Sequence, residues 1–343
     1  MIRLKNFHVE LENCAFVYLP KQKCIAVLGN YIADDEFDLE ENVLIYYDIK
    51  TLRQIRRIVF YDESASGLYY SPKYDFIARY AHKELSIMDP KNPSRVRGTL
   101  THDHTVAECC IEDSKDIICT ADEVEYVYLW HSVKHIQLKK IRLLQHRLMA
   151  SSYWLNYMPN LDLILTMQDA HIEIVNVNCK KIIYEYDIPI KESLVSAQYY
   201  LSKTGEMLWI YQKAKKIQFL KYAMNAVGED DINFKLTDEV EVPFFIDAET
   251  LEFDAKHIIW GTVPDVDRIF RMDPYTFEFE FLEIQKYKKS PAYDCSDSLL
   301  FEIGKFVFLF EHEAFKVHLL EEQCQSNSEG KRGNAECLME FSH

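Results

Sequence analysis

A chain of 343 residues, 48% hydrophobic and 27% charged, is long enough for one to three domains and rich enough in apolar residues to exclude disorder over most of its length. Its net charge of −16 and pI of about 5.2 argue against non-specific binding to nucleic acid or anionic membrane. The charge is uneven: residues 1–190 carry 22 Lys/Arg against 27 Asp/Glu, net −5, and residues 191–343 carry 17 against 28, net −11.

The first ten residues, Met1 to Glu10, alternate apolar with polar side chains and lack the apolar centre of a secretory signal. No later stretch reaches the 18 or so uncharged apolar residues of a membrane span, so a soluble, cytoplasmic protein is expected. Nine cysteines, scattered singly except for Cys109-Cys110 and with no CxxC spacing, read as reduced thiols, not as a disulfide framework or a zinc site. The 22 Tyr and 20 Phe favour strands.

Along the chain a turn between two apolar runs recurs seven times: Tyr18-Leu19-Pro20-Lys21, Tyr70-Ser71-Pro72-Lys73, Glu112-Asp113-Ser114-Lys115, Tyr157-Met158-Pro159-Asn160, Leu201-Ser202-Lys203-Thr204-Gly205, Phe253-Asp254-Ala255-Lys256 and Glu302-Ile303-Gly304-Lys305. Proline presets φ in such turns, and Asp, Ser and Asn bond their own backbone. Each turn is followed by an apolar strand: Cys24–Leu28, Asp75–Arg79, Ile117–Thr120, Leu161–Thr166, Met207–Tyr211, Ile258–Gly261 and Phe306–Phe310. A further strand ends in a large apolar residue followed by a polar one, as in Tyr47-Asp48, Met88-Asp89, Trp130-His131, Val175-Asn176, Leu220-Lys221 and Met272-Asp273, with a last instance near Leu320-Glu321. The regular spacing predicts seven like units, whose inward positions include Phe16, Ile25, Leu44, Tyr69, Ile77, Ile118, Leu129, Ile164, Ile174, Trp209, Phe219, Ile259, Phe270 and Phe308.

The third unit carries a family resemblance most clearly. Thr101-His102-Asp103-His104-Thr105-Val106, then Cys109 to Asp113, Ile117 to Thr120, and Tyr126-Val127-Tyr128-Leu129-Trp130 match the order of landmarks in WD repeats, and His146, Thr166 and Asp169 fall at corresponding places in the fourth unit. Over residues 1–322 the chain therefore resembles the WD-repeat (WD40-like) family, with two departures: only Trp130 keeps the repeat's Trp, and His131 stands where Asp would follow. The resemblance implies an all-β fold, a seven-bladed β-propeller of four-stranded antiparallel blades. The last unit yields only three strands, Ser298–Ile303, Lys305–Phe310 and Ala314–Leu320, so the N-terminal strand Ile2–Leu11 is expected to supply the fourth and cover an otherwise open edge. Residues 323–343 are expected to form a flexible tail.

Two insertions stand out. Residues Tyr31–Asn42 of the first unit bring together Asp34, Asp35, Glu36, Asp38, Glu40 and Glu41, an acidic loop that would attract a basic peptide or protein surface, or else simply be solvated. It accounts for an excess of eleven residues: Pro20 and Asp48 lie 28 apart, where Pro72 and Asp89 lie 17 apart. Residues Met224–Asn233, with Gly228-Glu229-Asp230-Asp231, form a second acidic insertion without EF-hand spacing.

The histidines His102, His104, His146 and His171, with Asp103 and Asp169, would line the same face as the acidic loop. As metal ligands they lack a spacing that enforces convergence. The resemblance implies instead that a His entering the first strand bonds through a hydroxyl to an Asp and a Trp. Basic residues cluster on the outermost strands, at Arg53, Arg56 and Arg57, at Arg95 and Arg97, at Lys139, Lys140 and Arg142, and at Lys180 and Lys181. They either protect sheet edges or form a rim for an acidic partner or RNA. Carboxylate pairs such as Asp122-Glu123, or Asp265 with Asp267, carry no catalytic spacing, and no nucleophile elbow, phosphate loop, zinc-protease motif or dinucleotide fingerprint occurs.

The leading expectation is a non-catalytic scaffold that needs no cofactor or metal, binds protein or peptide partners through loop faces and channel mouth, and serves as a subunit of a larger complex. Nucleic acid is disfavoured as a partner. A propeller enzyme with a channel site, or an RNA-associated subunit using the basic rim, are the alternatives.

Overall fold

The structure is a computed structural model that describes residues 2–8, 12–31, 41–60, 67–124, 126–143, 153–168, 171–187, 194–201, 203–213, 216–226, 232–242, 252–253, 258–263, 268–285, 298–303, 306–311 and 316–322. After β1 (Ile2–His8), the first sheet contains β2 (Glu12–Leu19), β3 (Cys24–Tyr31), β4 (Glu41–Asp48) and β5 (Gln54–Phe60). The second contains β6 (Gly67–Ser71), β7 (Phe76–Ala81), β8 (Glu84–Asp89) and β9 (Asn92–Thr101). The third is β10 (Val106–Glu112), β11 (Ile117–Asp122), β12 (Tyr126–His131) and β13 (Ile136–Arg142). The fourth is β14 (Tyr153–Met158), β15 (Leu163–Gln168), β16 (His171–Asn176) and β17 (Lys181–Asp187). The fifth is β18 (Leu194–Leu201), β19 (Glu206–Lys213), β20 (Lys216–Ala226) and β21 (Ile232–Val242). The rest of the chain supplies β22 (Glu252–Phe253), β23 (Ile259–Val263), β24 (Arg268–Met272), β25 (Phe279–Gln285), β26 (Ser298–Ile303), β27 (Phe306–Glu311) and β28 (Lys316–Glu322).

Each of the five four-stranded sheets is an antiparallel meander in chain order. First strands stand side by side, β2 against β6, β6 against β10 and β10 against β14, while β26 touches both β22 and β2. Shared cores join the fourth sheet to the fifth, and the fifth to β23 and β24 through Leu208, Phe219, Ile259 and Phe270, so the array closes into a ring.

Alternation along each strand explains why the sheets stack. In β12, Tyr128 and Trp130 join a core shared with the second sheet, around Phe76, Tyr80, Leu85 and Ile87. Val127 and Leu129 face the other way and pack with Leu155, Ile164 and Val175 of the fourth. Further shared cores join sheets one and two through Leu28, Leu44, Ile77 and Met88, and four and five through Ile172, Ile174, Met207 and Trp209. Burying one such aliphatic or aromatic side chain contributes about 1.5–3 kcal/mol. Of the expected core positions, Ile25, Leu44, Ile77, Ile118, Leu129, Ile164, Ile174, Trp209, Phe219, Ile259 and Phe270 are buried. Phe16 and Tyr69 are partly so, and the Phe308 side chain lies outside the described residues.

The recurrent turns have a shared mechanism. Between first and second strands the closing residue takes a left-handed conformation at Lys23, Asp75, Asp116, Asp162 and Gly205, with φ from 51° to 73°. The Tyr70 hydroxyl donates to Asp75 at 2.9 Å, and that of Tyr157 to Asp162 at 2.8 Å, holding two of these turns. Between third and fourth strands, the polar member of the recurring pair accepts backbone N–H groups. Asp48 takes Thr51 N–H at 2.7 Å, Asp89 takes Lys91 at 2.9 Å, Asn176 takes Asn178 at 2.9 Å and Asp273 takes Tyr275 at 2.8 Å. The pair is thus a strand end followed by its turn cap.

The outer strands differ in one respect that decides how the sheets end. In β5, β9, β13, β17 and β21 the ladder to the neighbouring strand skips one residue, at Ile55, Arg97, Leu138, Ile183 and Thr237 respectively, and β9 skips again over residues 93–95. Such a bulge bends the strand and spoils its free edge as a template. β25 pairs with β24 without interruption, and β1 pairs with β28 from Ile2↔Glu322 to His8↔Lys316 just as regularly. These two unbulged strands pair with each other in parallel, at Ile2↔Ile284 and Arg3↔Gln285.

The expectation of seven separate blades is therefore corrected to six hydrogen-bonded sheets, the sixth an eight-stranded one in the order β22-β23-β24-β25-β1-β28-β27-β26. The N-terminal strand does lie beside β28, as the missing fourth strand required. Residues 323–343 lie outside the described residues. Both ends of the second insertion are strand, since β20 and β21 run into it, pairing Met224↔Phe234 and Ala226↔Ile232, and residues 227–231 lie outside the described residues. Phe234 reaches Tyr184 of the fourth sheet, ring centroids 4.7 Å apart.

Deleting residues 2–8 removes the only described cover of the β28 edge. We expect the truncated chain to melt roughly 5 °C or more lower and to self-associate, as read by thermal denaturation and light scattering.

Candidate functional site

The link from the second sheet to the third, residues 102–105, is bonded to both of its neighbours. The His102 N–H donates to the Lys83 carbonyl at 2.8 Å, Val106 N–H to the His82 carbonyl at 2.7 Å, and Glu123 N–H to the Thr105 carbonyl at 2.9 Å. The link therefore has a fixed shape.

Beneath it lies a chain of side-chain hydrogen bonds. The Trp130 indole N–H donates to Thr120 Oγ1 at 3.0 Å, and Thr120 Oγ1 lies 2.7 Å from His102 Nε2. His102 Nδ1 is 3.1 Å from the Lys83 carbonyl, which can only accept. The proton therefore belongs on Nδ1, and the threonine hydroxyl donates to Nε2. With its ring edge-on to Tyr128 at 4.8 Å and to Trp130 at 5.1 Å, His102 is only 3% exposed, and burial lowers its pKa. The imidazole is neutral and structural, which places it away from any partner-facing surface.

Asp122 is equally committed. At 1% exposure it accepts Tyr126 N–H at 2.8 Å, Val124 N–H at 3.2 Å and the Tyr128 hydroxyl at 3.1 Å. Sequence reasoning saw Asp122-Glu123 as an ordinary surface pair. Its place at the end of the second strand after His102 and two residues beyond Thr120 was the signal available.

What this corner leaves at the surface is Asp103, His104, Tyr126 and Lys140. Lys140 forms an ion pair with Asp103 and stands over the Tyr126 ring at 3.7 Å. Bonding to Lys140 holds the Asp103 carboxyl below its usual range, and the same bond raises the lysine. The result is a small polar and aromatic surface, with no group drawn together for proton transfer or nucleophilic attack. Among the described residues no group of three or more His, Cys, Asp or Glu side chains could hold a metal ion.

The other expected site residues are dispersed. His171 opens β16, 5% exposed, with Nε2 3.4 Å from Oε1 of the equally buried Glu173. Glu41 opens β4, while Asp34, Asp35, Glu36, Asp38, Glu40, His146 and Asp169 lie outside the described residues. The basic outer residues divide in two. Arg56 donates to the Lys91 carbonyl of the next sheet at 2.6 Å, Lys139 to the Val177 carbonyl at 2.6 Å, and Arg97 pairs with Asp89 at 3.0 Å. Arg53, Arg57, Arg95 and Arg142 are exposed, as is Lys181, which opens β17 next to Lys180 in the preceding turn. Inter-sheet stapling by basic side chains was not foreseen, because the accepting carbonyls belong to turns about 35 residues away in sequence.

A closed ring of radially stacked, four-stranded antiparallel sheets with their first strands innermost defines a β-propeller. Among solved structures the chain is similar to the β-propeller domain of Cps50 (Swd1) from Myceliophteria thermophila, with a TM-score of 0.61 and 11% identity over 92% of this chain and 98% of that domain. No protein-family model matches the sequence, and no curated protein matches it. The likeness lies in the fold. No helix among the described residues is long and apolar enough to cross a membrane.

Two outcomes follow for the buried network. Thr120→Val keeps the shape but strands the Trp130 N–H and the His102 ring, and should cost about 1–3 kcal/mol in denaturant unfolding. Acid should act on the same group. The unfolded His102 takes up a proton near its ordinary value of 6.5, and the folded one only at lower pH. Stability is therefore undiminished above about 6.5 and falls as pH drops below it, because the unfolded chain then binds more protons. His135, also lowered by burial, adds to the same slope. Thermal melts between neutral and mildly acidic pH would show it, and His102→Gln should flatten the dependence.

Proposed function

We propose that the protein is a non-catalytic scaffold, a rigid propeller that holds protein or peptide partners on its loop face and channel mouth as a subunit of a larger complex. The observation that carries this reading is the state of the His102 corner. The groups with chemical capacity there, His102, Thr120 and Asp122, are used to tie strands together, and the surface left over is suited to contact. The likeness to another propeller domain supports a rigid platform and says nothing of its partner.

On this reading the eight-stranded sheet counts as two blades fused at their outer strands, giving seven in all as in WD repeats. Residues 1–322 form the propeller. The acidic insertion with Asp34, Asp35, Glu36, Asp38, Glu40 and Glu41 leaves the ring between β3 and β4. This is the end of the blades on which the 102–105 link lies, and the insertion would steer a basic partner there together with Asp103, His104, His146 and Asp169, whereas His171 is buried. A cytoplasmic location fits a protein whose described cysteines, Cys24, Cys109, Cys110, Cys119 and Cys179, are free thiols.

The experiment is a tagged full chain captured from native cells at increasing salt, beside the Asp34→Asn/Asp35→Asn/Glu36→Gln/Asp38→Asn variant. We expect co-purifying proteins at fixed ratio that the quadruple variant loses at lower salt than the parent. Identical capture by both would remove the insertion from the binding surface, and a chain eluting alone under every condition would refute the scaffold.

A further inference from the structure

A second surface lies away from the loop face, on the turns between third and fourth strands of the first three sheets and on the outer strands that follow. Most of the large apolar side chains left exposed among the described residues are concentrated there. Ile55 is 59% exposed, Val96 51%, Val133 50%, Ile136 51% and Leu138 47%. The segments that carry them touch one another from sheet to sheet. Arg56 bonds to the turn of the second sheet, and the His135 ring lies so close to Gly98 that a Cβ there would fall 2.1 Å from Nδ1.

The same band of segments is basic in an acidic protein. Segments 48–57, 89–99 and 131–139 together hold nine Lys/Arg (Lys50, Arg53, Arg56, Arg57, Lys91, Arg95, Arg97, Lys134, Lys139) and two acids, Asp48 and Asp89, whereas the whole chain has 39 Lys/Arg against 55 Asp/Glu. Selection for edge protection alone accounts for the charge and not for the aliphatic side chains beside it.

We propose that this band is a docking surface for an acidic polypeptide segment that carries aliphatic side chains. Charge complementarity sets the sign of the partner, and the five exposed aliphatics supply apolar contacts that charge alone does not call for. Those side chains are aliphatic throughout, and single-stranded RNA is held by stacking on rings. The bulges at Ile55, Arg97 and Leu138 interrupt the outer ladders, so the partner docks through side chains, as a helix does, and not by adding a strand. The proposal does not rest on the acidic insertion or on the loop face, and it stands or falls separately from them.

The test is fluorescence anisotropy of the full chain with a labelled peptide of Glu-Glu-Leu repeats, beside a leucine-free polyglutamate of equal charge, oligouridine RNA and phosphatidylserine vesicles. We expect the leucine-bearing peptide to bind roughly tenfold more tightly than polyglutamate and more tightly than RNA or vesicles. Ile55→Ser/Ile136→Ser/Leu138→Ser should remove that advantage while leaving the weak polyglutamate binding in place. Arg53→Glu/Arg95→Glu/Lys134→Glu, which spares the inter-sheet bonds of Arg56, Arg97 and Lys139, should weaken both peptides by roughly tenfold or more. Should the triple serine variant melt lower than the parent, Ile55→Ser alone carries the apolar arm, because Ile55 is the extra residue of its bulge. Equal affinity for the two peptides, tighter binding of RNA or vesicles, or serine variants that bind like the parent would overturn the proposal.

Discussion

Each blade has two apolar faces and no solvent side, and this constraint governs the rest of the molecule. In β11, Ile118 packs toward the second sheet and Cys119 toward the fourth, both fully buried. A two-layer sandwich satisfies sheets with one apolar face, but a sheet greasy on both sides needs a neighbour on each, and the arrangement that leaves none uncovered is a closed ring. The order of the sheets follows from the order of the sequence, and the ring becomes the smallest unit that can fold. A domain wall between any two blades would expose one of the shared cores.

Closing the ring protects faces and leaves edges. The last strands of the five four-stranded sheets, together with β25 and β1, are treated in two ways. Five carry at least one bulge, which leaves their backbone groups out of step with any incoming strand. The remaining two, β25 and β1, are regular, and they meet. Their two parallel pairs are few, yet they suffice to merge eight strands into one sheet at the point where the beginning of the chain is joined to its end. The regularity of β1 has its own cause. A strand that must complete a blade from the far end of the chain gains its place only through its ladder to β28, and a bulge would weaken that ladder.

Periodicity made much of this legible. The turn motifs, the strand after each, and the one-strand deficit of the last unit lead from the sequence alone to the ring and to the role of an N-terminal strand. The polar residue after each large apolar one was visible as a landmark, although its task as a turn cap needed the bonds of Asp48, Asp89, Asn176 and Asp273. Other features left no trace. A bulge is an offset between two strands, and neither Ile55 nor Leu138 differs in type from its neighbours. The merged sheet depends on two strands lacking such an offset, so counting repeats could not find it. The second insertion looked like a loop because its acidic centre hides the fact that Ile232 and Phe234 continue a strand and pack on Tyr184 and Trp209.

Of the candidate corner, the bond of a His through a hydroxyl to a Trp was legible in the sequence, and the separate roles of its neighbours were not. His102, Asp103 and His104 are consecutive and look alike on paper, yet alternation sends the first inward to Thr120 and leaves the second at 61% side-chain exposure against Lys140. The same division separates Arg56 and Lys139, spent on carbonyls of the next blade, from Arg53 and Arg95, which are not. A propeller assembled from similar units must stabilise each junction with whatever polar residues the unit carries. Function is therefore left to residues that the junctions do not need. That criterion selects Asp103 and His104 on one face and the exposed arginines with Ile55, Ile136 and Leu138 on the rim, and it sets aside the buried histidines that a search for reactive side chains would choose first.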